Sequence, residues 1–154
     1  LPDLKLLIVG DGPQRNSLEK QAHDLGITQN LHFSGNHPMD ELPHFIQDSR
    51  AFIMTSQGEG LPMAMIEAMS CGLPVIVPQD ADFSEVANPN VNALTVDSQH
   101  PKGFASAITR LFSDIELYTH LREGALAIRQ QRGHEYSIAA QTKLWQIWFE
   151  KVLK

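Results

Sequence analysis

Cysteine is almost missing from this chain of 154 residues: Cys71 stands alone, which excludes an internal disulfide and makes a reducing compartment the default. There is no excess of basic residues either. The formal charge is −6, and no run of lysine or arginine breaks the acidic balance. The long-range field that would favour nucleic acid or an anionic lipid surface is therefore lacking. Long apolar runs are also absent. Nothing approaches the roughly 18 residues of a membrane span, and the opening LPDLKLLIVG is too short and too strand-like for a signal peptide. The histidines at 23, 32, 37, 44, 100, 120 and 134 show no tight metal-ligand spacing, so no structural metal is expected. What is present is enough apolar material for a core, 42% of residues, over a length that fits one domain.

Short apolar runs alternate with amphipathic segments, the pattern of helices wound around a parallel sheet. Strands are predicted at Leu4 to Val9, Leu31 to Ser34, Ala51 to Thr55, Pro74 to Val77 and Ala93 to Val96. Between them, Leu18, Ala22 and Leu25 recur at helical spacing, Pro38 to Gln47 repeats the pattern, and Leu61 to Cys71 forms a helix that Gly72 stops. Phe83 to Ala87 reads as a short helix. From Pro101 onward only helical spacing remains, first through Phe104, Ile108, Leu111 and Phe112, then through Leu117, Leu121 and Ile128. A last helix is expected from about Ser137 to Leu153 with Trp145, Trp148 and Phe149, whose aromatic rings read as packing.

The helix after the third strand carries the most chemical information. Glu67 is the only charge from Pro62 to Cys71, and the places three and four residues away hold Met63, Ala64, Ser70 and Cys71 rather than a cation. A carboxylate on so apolar a helix needs hydrogen bonds from elsewhere. Backbone amides or a distant arginine would provide them, and so would the vicinal hydroxyls of a ribose. Glu59 lies at the carboxyl end of a strand, where open parallel sheets bind ligands; an acidic residue there also suits the helix dipole without any ligand. The amides of Leu61, Met63 and Ala64 surround a helix start that could receive a diphosphate.

The other motifs are less specific. Gly10-Asp11-Gly12 follows a strand, but Arg15 stands where a dinucleotide fingerprint needs its third glycine, so a tight turn explains both glycines. Gly35-Asn36-His37 closes the second strand on the same side of the sheet and either flanks a base or simply turns the chain. Cys71 reads as a small buried residue, with no base close in sequence to activate it.

The string Ser56-Gln-Gly-Glu59-Gly-Leu-Pro-Met-Ala-Met-Ile-Glu67-Ala-Met-Ser-Cys-Gly-Leu-Pro-Val-Ile-Val resembles the donor-binding region of the GT-B glycosyltransferases of family 4, including the separation of its two glutamates. The resemblance extends from LKLLIVGDGP through LHFSG and AFIMTS to Asn92-Ala-Leu-Thr-Val and the closing helices. It implies a Rossmann-like α/β fold with a mainly parallel sheet flanked by helices: the C-terminal half of a GT-B fold, without its first strand and helix. Residues 1–154 would be part of the donor-binding domain of a retaining, hexosyltransferase-type glycosyltransferase that uses a nucleotide-sugar such as a UDP- or GDP-sugar.

Carried over by position, Glu67 would hold the ribose hydroxyls and Glu59 would face the donor sugar as the catalytic carboxylate. Gly60, Leu61, Met63, Ala64, Gly35 and Asn36 would complete the donor site. Ala81-Asp82-Phe83 replaces a glycine-rich approach to Ser84-Glu85, and Ala93 stands where glycine is common, so contacts from those loops do not transfer. The resemblance implies no metal and no cofactor beyond the donor, and a cytoplasmic setting in which polysaccharide biosynthesis is the natural context. The family's diphosphate-neutralising Arg and Lys-Gly, and its N-terminal acceptor domain, would lie upstream of this sequence. Any membrane contact would come through such regions. Other readings of the same architecture are a non-catalytic nucleotide-sugar binding module and a nucleotide-sugar epimerase.

Overall fold

The computed structural model describes residues 3–56, 62–79, 83, 85–97, 100–132 and 142–143. They fall into two units, Leu1–Phe45 and Ile46–Lys154. In the first, β1 (Leu6–Val9) leads through α1 (Arg15–Asp24) and a 3-10 turn at Thr28–Asn30 to β2 (Leu31–Gly35), which pairs parallel with β1. The register runs Leu6 to Leu31 and Ile8 to Phe33, then jumps so that Val9 faces Gly35. Ser34 is therefore an extra residue in β2, a bulge at the carboxyl end of the pair. Beyond the bulge the strands stay joined by the Gly10 amide, which donates to the Gly35 carbonyl at 2.8 Å.

The helix predicted from Pro38 is shorter, α2 (Leu42–Gln47), preceded by turns in which Glu41 N–H donates to Pro38 O and His44 N–H to Glu41 O. Pro43 is the reason. It has no N–H for a bond to the previous turn, so it tolerates a first helical turn but not a helix running in from position 38.

The second unit is a three-stranded parallel sheet in the order β3 (Phe52–Ile53), β4 (Val75–Pro78), β5 (Ala93–Val96). The central β4 is buried along its whole length, which explains its unbroken apolar sequence. Its alternate residues serve two cores. Val75 and Val77 pack with Met65, Ile66 and Met69 of α3 (Met63–Ser70) and with Ala125 and Ile128 of α5 (Ile115–Arg132). Ile76 packs on the opposite face with Leu94, Val96, Ala107 and Leu111 of α4 (Pro101–Ser113), and Leu121. Helices thus cover both faces, with α5 contributing to each. The joint between α4 and α5 is Asp114, whose Oδ1 accepts the Leu117 amide at 2.9 Å.

The short helix predicted at Phe83 to Ala87 is not formed. A single turn takes its place, with Val86 and Ala87 N–H both donating to Phe83 O. Pro89 disfavours a helical Asn88 and ends it. The buried Asn92 then fastens the loop, accepting from Asn88 N–H at 2.7 Å and donating to Val86 O at 3.0 Å. The final helix predicted from Ser137, with its tryptophans, lies outside the described residues.

Candidate donor site

Helix α3 begins abruptly. Pro62 offers no side-chain cap, the first turn carries no acidic residue, and the hydrogen-bond ladder starts only with Met65, whose amide donates to Pro62 O at 3.0 Å. The amides of Met63 and Ala64 precede it, so among the described residues no side chain caps the positive end of the helix. Around the helix, Met65, Ile66, Ala68 and Met69 are buried, whereas Met63, Ala64 and Cys71 are exposed and Glu67 is half-buried. At spacings of three and four, Met63, Ala64, Glu67 and Cys71 share one face.

That face corrects one expectation: Cys71, predicted as a small buried residue, is exposed at the end of the helix. The reason is that only one side of α3 packs on the sheet and α5. Among the described residues the Glu67 carboxylate has no hydrogen-bond or ion-pair partner. Just before the loop to α3, beyond β3, Ser56 Oγ is buried and likewise without a partner among the described residues. Local sequence gives Ser56 no role; its place at the carboxyl end of a parallel strand is the signal that points to it. Glu59, Gly60 and Leu61 lie outside the described residues.

In the first unit, Gly35 and Asn36 follow the bulge. Gly35 has φ +80°, a conformation that other residues adopt at a cost, and it turns the chain out of β2. On its far side, His37 Nδ1 lies 2.9 Å from Glu41 Oε2 and Nε2 lies 3.2 Å from Ser34 O, while the ring packs on Phe45 with centroids 4.4 Å apart. On its near side sits Arg15. Its Nε donates to Glu19 at 2.8 Å and its Nη1 to Asp11 at 3.3 Å. The hydrogen bond it donates to Glu19 is the main cause that holds the guanidinium above the ordinary arginine range, with the charges of Asp11 and Glu19 adding to it against some desolvation. Met63, Ala64 and Glu67 thus share the open face of α3, and Gly35 and Asn36 sit together at the end of β2.

A family model described as glycosyl transferases group 1 matches residues 1–127. The chain belongs to this family. Among curated group 1 relatives, the lipopolysaccharide core biosynthesis glycosyltransferase LpsE of Rhizobium meliloti is 33% identical over 88% of this chain and 37% of its own length. A GDP-mannose-dependent alpha-(1-6)-phosphatidylinositol monomannoside mannosyltransferase of Mycobacterium tuberculosis is 34% identical over 71% of this chain and 30% of its own. The group 1 chain therefore spans about a third of the length of these relatives. Among solved structures, Anabaena HepE in complex with UDP superposes with a TM-score of 0.82 at 21% identity, over 96% of this chain and 41% of HepE. The C-terminal domain of a group 1 glycosyl transferase from Francisella tularensis gives 0.77 at 20% identity, over 89% of this chain and 72% of that domain. The fold is that of GT-B glycosyltransferases, with parallel strands and flanking helices as the sequence implied. No helix among the described residues is long and apolar enough to cross a membrane.

Proposed function

We propose that residues 1–154 form part of the donor-binding domain of a retaining glycosyltransferase that takes a hexose from a UDP- or GDP-sugar and passes it to a glycan, lipid or small-molecule hydroxyl. The observation that carries this reading is Glu67, a half-buried carboxylate without a partner among the described residues, on the same helix face as the uncapped first turn of α3. A carboxylate accepts two hydroxyl donors side by side, and a helix start accepts an anion. Ribose and diphosphate supply those groups a few ångströms apart. Glu67 accordingly holds the ribose, the amides of Met63 and Ala64 meet the diphosphate, and Gly35 and Asn36 flank the base. Glu59, with Gly60 and Leu61, faces the sugar.

In the reaction the bond between the anomeric carbon and the diphosphate oxygen breaks through an oxocarbenium-like transition state. An acceptor hydroxyl oxygen then bonds to the carbon on the same face and passes its proton to the departing diphosphate oxygen. Helix-end amides stabilise charge as it develops on the leaving oxygen, which is where preorganised donors act most strongly. The names of two similar proteins support the donor class: one relative is GDP-mannose-dependent, and HepE was solved with UDP and with UDP-glucose. No metal or cofactor enters this scheme. A lipopolysaccharide-core relative supports a glycan or glycolipid acceptor.

The test is a titration of UDP and GDP into isotope-labelled protein, followed by amide shifts. Shifts at Met63, Ala64, Gly35 and Asn36, weakened in Glu67→Gln, are the expected result. Full-strength binding in Glu67→Gln overturns the ribose assignment.

A further inference from the structure

The end of β2 is held in an unusual way. Where the register jumps at Ser34, side chains take over from the strand ladder on both sides of the break. Ser34 Oγ donates to Ile8 O at 3.3 Å, Arg15 Nη2 donates to Phe33 O at 3.4 Å, and His37 Nε2 lies against Ser34 O. Of these, Arg15 reaches furthest. One planar guanidinium joins the turn after β1 through Asp11, its own helix through Glu19 and the backbone of β2 through Phe33, over whose ring it also lies, 5.8 Å from the centroid. It lies beside the following turn, where a Cβ added at Gly35 would meet Nη1 at 3.5 Å.

We propose that Arg15 is a positioning residue for the donor: it clamps the bulge at Ser34 and so fixes where Gly35 and Asn36 meet the base. The inference rests on the assignment of those two residues to the nucleotide. Ion pairs this exposed stabilise a fold little by themselves. The bond to Phe33 O is different, because it goes to the backbone where the strand pairing is interrupted and two residues before the proposed contact. Bulges re-aim the residues that follow them, and displacements of about 1 Å at a binding loop are enough to weaken a site. Only arginine can do this. Its fixed fork serves three acceptors at once, whereas a lysine at the same position is a single point donor.

The experiment compares the wild-type chain with Arg15→Lys, Arg15→Met and Glu19→Gln by amide hydrogen exchange and by titration with UDP and GDP. The Gly10 amide, which donates to Gly35 O, reports the closed bulge without any ligand. In both Arg15 variants Gly10 should exchange about fivefold faster, with Ile76 and Val77 unchanged, and nucleotide affinity should fall by a similar factor, the scale of one partly exposed charged contact. Glu19→Gln, whose amide oxygen still accepts from Nε and which leaves the Phe33 and Asp11 contacts in place, should behave as wild type. Unchanged Gly10 exchange in Arg15→Lys overturns the clamp, and so does a Glu19→Gln variant that loosens Gly10 equally, since helix stability would then explain the effect. The nucleotide assignment fails separately: wild-type protein whose Gly35 and Asn36 amides ignore both nucleotides overturns it, while the exchange data still decide the clamp.

Discussion

A half-buried carboxylate such as Glu67, with no cation or donor beside it among the described residues, contributes little to folding but is ready to receive donors from a ligand. Glu67→Gln should therefore leave the urea midpoint nearly unchanged, within about 0.5 kcal/mol as for an unpartnered surface change. The same substitution should weaken nucleoside-diphosphate binding by ~1.5 to 3 kcal/mol, the scale of a hydrogen bond to a charged group. Loss of stability with intact binding would reverse the assignment. Gly124 presents the opposite case, a residue fixed by space alone. A Cβ there would overlap the Val91 carbonyl oxygen, so Gly124→Ala must push the 88–92 loop off α5. A loss of about 1 to 3 kcal/mol in a denaturant melt is expected, as for overpacking elsewhere. The solitary charge of Glu67 was legible in the sequence because its neighbours at helical spacing are local. Arg15 as a clamp was not, since its decisive acceptor, Phe33 O, lies 18 positions away on another strand. Cys71 was misread for a related reason: apolar neighbours in sequence do not say which side of a helix packs.

Among the elements, β4 carries the second unit. It is central and buried on both faces, with Ile76 serving the α4 core and Val77 the α3 core. Ile76→Ala should cost about 2 to 5 kcal/mol, since neighbours on both sides prevent collapse of the cavity. The matching change in the first unit, Ile8→Ala, should cost clearly less, because Ile8 is only half-buried. Equal losses in thermal melts would contradict this ranking. The strands were legible because continuous apolar runs flanked by glycine and proline leave few alternatives. The errors sit at proline: Pro43 delays α2, and Pro89 reduces a predicted helix to one turn. In both places hydrophobic spacing suggested a helix and the missing N–H or the clash before the ring decided otherwise.

At the scale of the whole molecule, the family was legible because the glutamate pair, the apolar helix and the strand that follows it are contiguous. The acceptor and the donor sugar were not, because nothing in a third of a relative's length specifies them. That fraction also bears on activity. Bringing two reactants together accounts for ~7 to 11 kcal/mol of a barrier, and none of the residues proposed above for the donor meets an acceptor. The 154-residue chain should bind nucleotide weakly and release no nucleoside diphosphate from a panel of UDP- and GDP-sugars. Acceptor-dependent turnover by this chain would refute that expectation.

The distribution of apolar surface leads to a final prediction. In the first unit Leu6, Val9, Leu18, Leu25 and Ile27 are exposed, Leu6 to 47% and Leu25 to 64%. Among the described residues β1 pairs on one side only, with β2. A strand whose sequence is Leu6-Leu7-Ile8-Val9 has no charge of its own to deter pairing with another chain. Apolar patches beyond a few hundred Å² promote association. The protein alone should thus bind a hydrophobic dye in its folded state and grow in sedimentation coefficient as its concentration rises. Lysines at the two exposed positions of β1, Leu6→Lys with Val9→Lys, should suppress both effects while leaving the cooperative melt of the second unit intact, because among the described residues neither of its core clusters includes a residue of β1. A dye-silent wild-type monomer at high concentration would show that this surface is not adhesive. Association that persists in the double variant would place the adhesive surface away from β1.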